Sequence, residues 1–166
     1  MDGVDGVDRV PEIVQFGARP YVALRGKVAM DGISAFADRL REVIDWLAAR
    51  EIAPNDAPFF KYDEVDMESE LVMEIGFPVD DVHTGEGEIV TGVIPAGRYV
   101  TVTHHGHPDG LRDATHDLLV WADEQGLEWD ADGDRWVARL EVYRSDPREV
   151  PDLNDWDTDL QFKLKD

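Results

Sequence analysis

Two stretches of matched character decide how this chain is read: Pro20-Tyr-Val-Ala-Leu-Arg-Gly-Lys-Val28 and Gly97-Arg-Tyr-Val-Thr-Val-Thr-His-His105. Both are rich in β-branched and aromatic residues and read as strands. Each leads through a glycine-containing turn into a helical pattern. After the first, Gly32 opens a helix in which Ile33, Phe36, Ala37, Leu40, Ile44, Leu47 and Ala48 recur at spacings of three and four. After the second, Leu111, Ala114, Leu118, Trp121 and Ala122 repeat that spacing over 111–125, and Gly126 is the expected stop.

The same order continues outward from each helix. Pro54-Asn-Asp-Ala-Pro58 turns the chain into a short strand, Phe59–Tyr62, and a longer one, Leu71–Val79. The acidic run 63–70 connects them, and a further strand is expected over 88–95. In the second half, a turn at Asp130-Ala-Asp-Gly-Asp134 precedes a strand over Trp136–Tyr143. A loop with two prolines then leads to a closing strand over 155–164. The chain thus reads strand–helix–strand–strand, twice. This predicts an α+β domain, an antiparallel sheet with two helices packed on it and a ligand cleft at the seam between the units. The domain is expected over 19–166, in halves of about 19–95 and 96–166. An acidic, mobile leader over 1–18 precedes it.

Charge narrows the function classes. The 37 acidic and 16 basic side chains of the 166 residues leave a formal net charge of −21. Such a chain has no general basic surface for nucleic acid or for an anionic membrane. It has no cysteine, which removes thiolate nucleophiles, disulfides and cysteine metal sites. No stretch has the roughly 20 apolar residues of a membrane helix. The start of the chain lacks the basic and apolar regions of a signal peptide, so a cytoplasmic location is expected. Asp outnumbers Glu, and the lysines are only Lys27, Lys61, Lys163 and Lys165. That bias fits a high-salt cytoplasm, with a GC-rich genome as the rival cause.

Several patches together resemble the GyrI-like (gyrase-inhibitor-like) small-molecule-binding domain, the effector-binding domain of AraC-type and multidrug-sensing regulators. They are Pro20–Val28 with its helix, Pro58-Phe-Phe-Lys-Tyr62 with Leu71–Val79, and Ile94-Pro-Ala-Gly-Arg-Tyr-Val100 leading to His104-His-Gly-His-Pro-Asp-Gly-Leu111. Leu140-Glu-Val-Tyr-Arg-Ser-Asp-Pro147 and Asn154-Asp-Trp-Asp-Thr-Asp-Leu160 complete the set. The resemblance covers roughly 19–164. It implies two strand–helix–strand–strand units related by a pseudo-twofold axis, with apolar or cationic drug-like molecules bound between them. Many relatives carry a DNA-binding helix-turn-helix ahead of this domain. Only about 18 acidic residues precede the match here, so a stand-alone form without direct nucleic-acid binding is expected.

The resemblance places the family's buried glutamate at Glu141. Independently, alternation along Trp136–Tyr143 puts Arg139, Glu141 and Tyr143 on one face of the strand and Leu140 and Val142 on the other. A carboxylate in an apolar setting needs a partner. A ligand cation would supply one, and a salt bridge to Arg139 on an exposed face is the structural alternative. By the resemblance, Tyr143 and Trp156 line the pocket beside Glu141, and Phe60 and Tyr62 approach from the first half. Glu74 offers a second acid, but its strand neighbours fit a solvated face.

Other motifs carry less. His104 and His105 are adjacent on a strand and point to opposite faces, so no metal site is expected from them, and no cofactor is implied. Asp130–Asp134 lacks the length and flanking helices of a calcium loop. No phosphate-binding loop or serine-hydrolase elbow is present. Three functions follow as expectations. The first is sensing or sequestration of a small molecule. The second is hydrolysis of an electrophile with Glu141 as general base. The third is inhibition of a gyrase-like protein partner.

Overall fold

In a computed structural model that describes residues 10–66 and 70–165, the chain begins with β1 (Glu12–Phe16) and β2 (Arg19–Ala29). Then come α1 (Ile33–Ala37), α2 (Leu40–Ala49), β3 (Phe59–Val65), β4 (Glu70–Pro78), β5 (Ile89–Ile94) and β6 (Gly97–His105). The remainder is α3 (Leu111–Glu124), β7 (Ala131–Asp132), β8 (Arg135–Trp136), β9 (Arg139–Tyr143) and β10 (Asp157–Lys163). All ten strands belong to one antiparallel sheet; eight follow the order β1-β6-β10-β9-β3-β4-β2-β5, and the β7–β8 hairpin joins it where β8 pairs with β3. The two units of the sequence repeat are β2–α1/α2–β3–β4 and β6–α3–β9–β10. They meet at the centre, where Phe59, Phe60 and Lys61 pair with Val142, Glu141 and Leu140.

Short links bend this sheet. β1 and β2 lie six strand positions apart in the order, yet only Gly17 and Ala18 join them. In a flat sheet six spacings come to about 29 Å, whereas three peptide steps reach at most about 11 Å. The same holds for β5 and β6, joined by Pro95 and Ala96. The sheet therefore curls into a half-barrel. Its inner face holds one core of Tyr21, Ala23, Phe59, Ile94, Tyr99, Leu140 and Val142. The outer face carries the helices over two separate cores. Val43 and Leu47 of α2 pack with Val22, Leu24, Met73 and Ile75. Leu111, Ala114 and Leu118 of α3 pack with Val100, Val102, Leu160 and Phe162.

Four expectations change. The leader is partly ordered, because Glu12–Phe16 is an edge strand paired with β6; residues 1–9 lie outside the described residues. The first helix breaks at Asp38-Arg39. There the amide of Arg39 bonds to the carbonyl of Phe36, and that of Glu42 to Arg39, tightening the chain. The expected strand over Trp136–Tyr143 is interrupted at Val137-Ala138. Its first part forms the hairpin β7–β8, turned by Gly133 at φ 60°. Finally, Glu74 is buried rather than solvated.

Glu74 belongs to a charged network on the inner face. It lies opposite Lys61 in the β3–β4 ladder. Its carboxylate accepts from Tyr21 Oη at 2.7 Å and from Lys61 Nζ at 3.1 Å. Lys61 also pairs with Asp63, the residue where the β3–β4 register slips. Burial and the neighbouring Glu74 push the Asp63 carboxyl up to about 7. Burial acts upward on Glu74 too, but bonds from Asp63, Lys61 and Tyr21 outweigh it and hold Glu74 low. Among the described residues no helix is long and apolar enough to cross a membrane.

Two predictions follow from this frame. A Cβ on Gly76 would lie 2.0 Å from the carbonyl oxygen of Val22 and 2.6 Å from Ala23 Cα, both backbone atoms. Gly76→Ala is expected to lose about 3 kcal/mol, read as a lower urea midpoint at unchanged slope. The raised Asp63 contributes stability that is full below its unfolded value of about 4 and is lost as pH rises through the folded value. Between pH 5 and 8, wild type should therefore lose stability relative to Asp63→Asn. A pH-independent difference between the two would contradict the assignment.

Candidate functional site

The outer face of the central seam lies between the two helix-covered cores, and it carries most of the residues singled out in the sequence. Strand alternation turns Arg139, Glu141 and Tyr143 of β9 outward, on the same face as Phe60 and Tyr62 of β3. Glu141 stands directly opposite Phe60 across the seam. The hydroxyls of Tyr62 and Tyr143 both donate to its Oε1, at 2.8 and 2.7 Å. The rings of Phe60 and Tyr143 pack 4.6 Å apart, tilted by 56°. Four of the five expected residues thus form one cluster. Trp156 makes no hydrogen bond or ring contact with them among the described residues. Its Nε1–H donates to the carbonyl of Val150 at 2.8 Å and ties down the loop before β10.

Glu141 is 9% exposed. Burial pushes its carboxyl above the usual range, against the two tyrosine bonds and the charge of Arg139, which act downward. Burial and the nearby carboxylate in turn raise the phenols of Tyr62 and Tyr143, so both stay protonated and serve as donors. Both bonds fall on one oxygen; among the described residues no donor reaches Oε2. That oxygen is the one left for chemistry. It accepts from a donor when ionised, and it donates, or takes a proton from water, as the carboxyl titrates.

The expected alternative, an exposed Arg139–Glu141 salt bridge, does not form: no ion pair joins the two within 4 Å. The Arg139 guanidinium instead lies 4.8 Å from the ring centroids of Trp136 and Phe162 and 5.9 Å from that of Tyr62. Arg139 and Glu141 are neighbours on one row, each held by different partners.

A groove of about 1040 Å³ opens beside this cluster, between α2 and the loop that follows β9. Leu40, Ile44, Ala48, Phe77 and Pro147 line it, and Tyr143 forms part of its wall. Tyr143 is the shared element, since its ring borders the groove while its hydroxyl holds Glu141. Sequence reasoning missed the α2 wall and Arg144, whose guanidinium bonds Asp56 at 2.6 Å and Asp159 at 2.7 Å. Those partners are distant in the chain and share no local pattern with it. The histidines separate as alternation requires. The His104 ring meets the carbonyl of His107 at 3.1 Å, while His105 pairs with Asp157 at 2.7 Å.

Comparison with known proteins places this geometry in a family. The GyrI-like small molecule binding domain matches residues 9–165. The fold is similar to that of EcmrR in a complex with DNA, at 22% identity and a TM-score of 0.80, covering 94% of this chain and 57% of that one. The chain therefore spans just over half the length of that relative. It is also similar to the EcmrR C-terminal domain, at 20% identity and a TM-score of 0.74, covering 96% of this chain and 98% of that one. SAV2435 bound to tetraphenylphosphonium shares the fold at 8% identity and a TM-score of 0.64, covering 95% of this chain and 94% of that one. At these identities the likeness speaks to fold alone. No curated protein matches. With all but a few of its residues matched, this chain belongs to the GyrI-like small molecule binding domain family.

Proposed function

We propose that this chain binds an apolar, aromatic small molecule in the groove between α2 and the loop after β9, with Glu141 as its polar anchor. The observation that carries the reading is the carboxyl itself. Burying a carboxyl is costly, and an apolar residue of similar size would serve the core better. Oε2 of Glu141 has no donor among the described residues and is not among the side-chain atoms sealed from solvent. Glu141 stands in the seam between the two units, one tyrosine away from an apolar groove large enough for a drug-sized molecule. Rotation of the Tyr143 side chain joins the two spaces and brings Oε2 to the ligand. The rings of Phe60, Tyr62 and Tyr143 then offer broad contact at small entropy cost. Membership of a small-molecule-binding family supports the reading. So does the likeness to a protein bound to tetraphenylphosphonium and to the C-terminal domain of EcmrR. On this reading the chain senses or sequesters its ligand, as part of or beside a transcription regulator.

A titration with Nile red, a neutral dye that brightens in apolar surroundings, tests the groove. Wild type should bind with a blue-shifted emission. Ile44→Trp and Ala48→Trp, which fill the groove from exposed positions on α2, should weaken binding at least tenfold with the melting temperature unchanged. Equal binding by all three proteins would show that the groove is not the site.

The raised carboxyl of Glu141, with one oxygen free, also favours a second reading: a hydrolase in which Glu141 takes a proton from water attacking an electrophile. Mass spectrometry after incubation with epoxides and activated esters checks it. Hydrolysis in wild type that is lost in Glu141→Ala is the expected result. Recovery of every compound unchanged removes the reading.

A further inference from the structure

The seam already contains a cation. Arg139 lies on the outward row of β9, two residues from Glu141, and its guanidinium is surrounded by three rings, those of Trp136, Phe162 and Tyr62. Among the described residues no carboxylate stands within 4 Å of it. Aromatic faces beside a buried acid are the setting in which a ligand cation is normally held, and in this chain an arginine of the protein takes that place. The two remaining rings of the cluster, Phe60 and Tyr143, pack against each other.

Charge in the groove leaves the selection to the seam. The chain as a whole has more than two acids for each base. Along the groove the two signs come close to balance, with Arg41, Arg144 and Arg148 against Asp45 and Asp146 in the lining and Asp56 and Asp159 on Arg144. Arg144 is neutralised by Asp56 and Asp159, and Arg148 by Asp146. The exposed Asp45 has no ion pair among the described residues, so the groove itself does not turn a cation away, and the discrimination falls to Glu141, which has Arg139 beside it behind the groove wall.

We infer that Arg139 is the specificity-determining residue of this pocket, a resident cation that turns the site toward neutral or anionic aromatic ligands and against permanent cations. The inference rests on the reading of the seam and groove as a ligand site, and it names the ligand class that site accepts. The physical reason is local neutrality. Glu141 ionised beside Arg139 sums to zero, and Glu141 protonated leaves the site positive. In neither state does the buried pocket present the net negative charge that offsets the desolvation of a cation. The acidity of the whole chain raises the concentration of cations near its surface, but the charge met at Glu141 is set by Arg139 beside it.

Tetraphenylborate and tetraphenylphosphonium test this directly, being closely similar in shape and opposite in charge. Calorimetric titrations of both into wild type, Arg139→Met and Arg139→Lys isolate the role of the charge. Wild type should bind the borate at least tenfold more tightly than the phosphonium. Arg139→Met should lower that ratio at least tenfold, while Arg139→Lys, which keeps the charge, should stay within threefold of wild type. A circular dichroism melt checks that both variants fold. Wild type preferring the phosphonium would overturn the inference. So would a ratio unchanged in Arg139→Met, or a Lys variant that follows Met and so reveals packing rather than charge. If no protein binds either ion and Nile red also ignores the groove variants, the pocket reading itself fails. If Nile red binds in the groove and the ion ratio does not respond to Arg139, only the charge assignment fails.

Discussion

Two links of two residues each, Gly17-Ala18 and Pro95-Ala96, impose the constraint on which the rest of the molecule depends. Each joins strands that stand far apart in the sheet order, so the sheet has to curl. Curling separates the two faces into different environments. The inner face closes on itself and fills with Tyr21, Phe59, Tyr99 and Leu140. The outer face has more area than one helix layer can cover, and α2 and α3 each take one half of it. The seam between them, where β3 meets β9, is left to the side chains of those two strands.

β3 serves both faces. Lys61 points inward to Glu74 and Asp63. Phe60 and Tyr62 point outward to the cluster around Glu141. Both faces therefore bury acid at the same strand, with different solutions. Inside, the acid has a lysine directly across the ladder, and the arrangement is an ion pair between neighbouring strands. Outside, the acid has two phenols on one oxygen and a guanidinium that is held by rings. The first is an ion pair that serves the fold, although Asp63 Oδ2 beside it lacks a hydrogen-bond partner and a cavity of about 720 Å³ opens on it. The second retains an open oxygen, and an apolar groove adjoins it, which is the combination that suits a ligand.

The sequence legible on its own went far. Period-two alternation placed Glu141 with Tyr143, and the paired strand–helix–strand–strand order gave the fold class and the seam. It was less reliable where partners come from elsewhere. Glu74 looks solvated by its strand neighbours because its partner Lys61 lies on another strand, and only the β3–β4 register brings them together. Glu12–Phe16 lacks a clean apolar face, yet it adds to the edge of β6, since backbone bonding at an edge needs no side-chain pattern. Trp156 stands just before β10, the neighbour of the strand that carries Glu141, but the loop 145–156 draws the indole toward Val150.

What the sequence by itself determined is the set of local periodicities: which residues are strand or helix, and which side of each strand they occupy. These depend on neighbours two to four residues away. The tertiary structure alone decided the partners of each charge. Whether Arg139 meets a carboxylate or three rings, and whether Glu141 receives one phenol or two, depends on which strands the curl of the sheet brings together. Electrostatic interactions in a buried site are set by distances of a few ångströms across strands remote in the chain, and no local spacing encodes them.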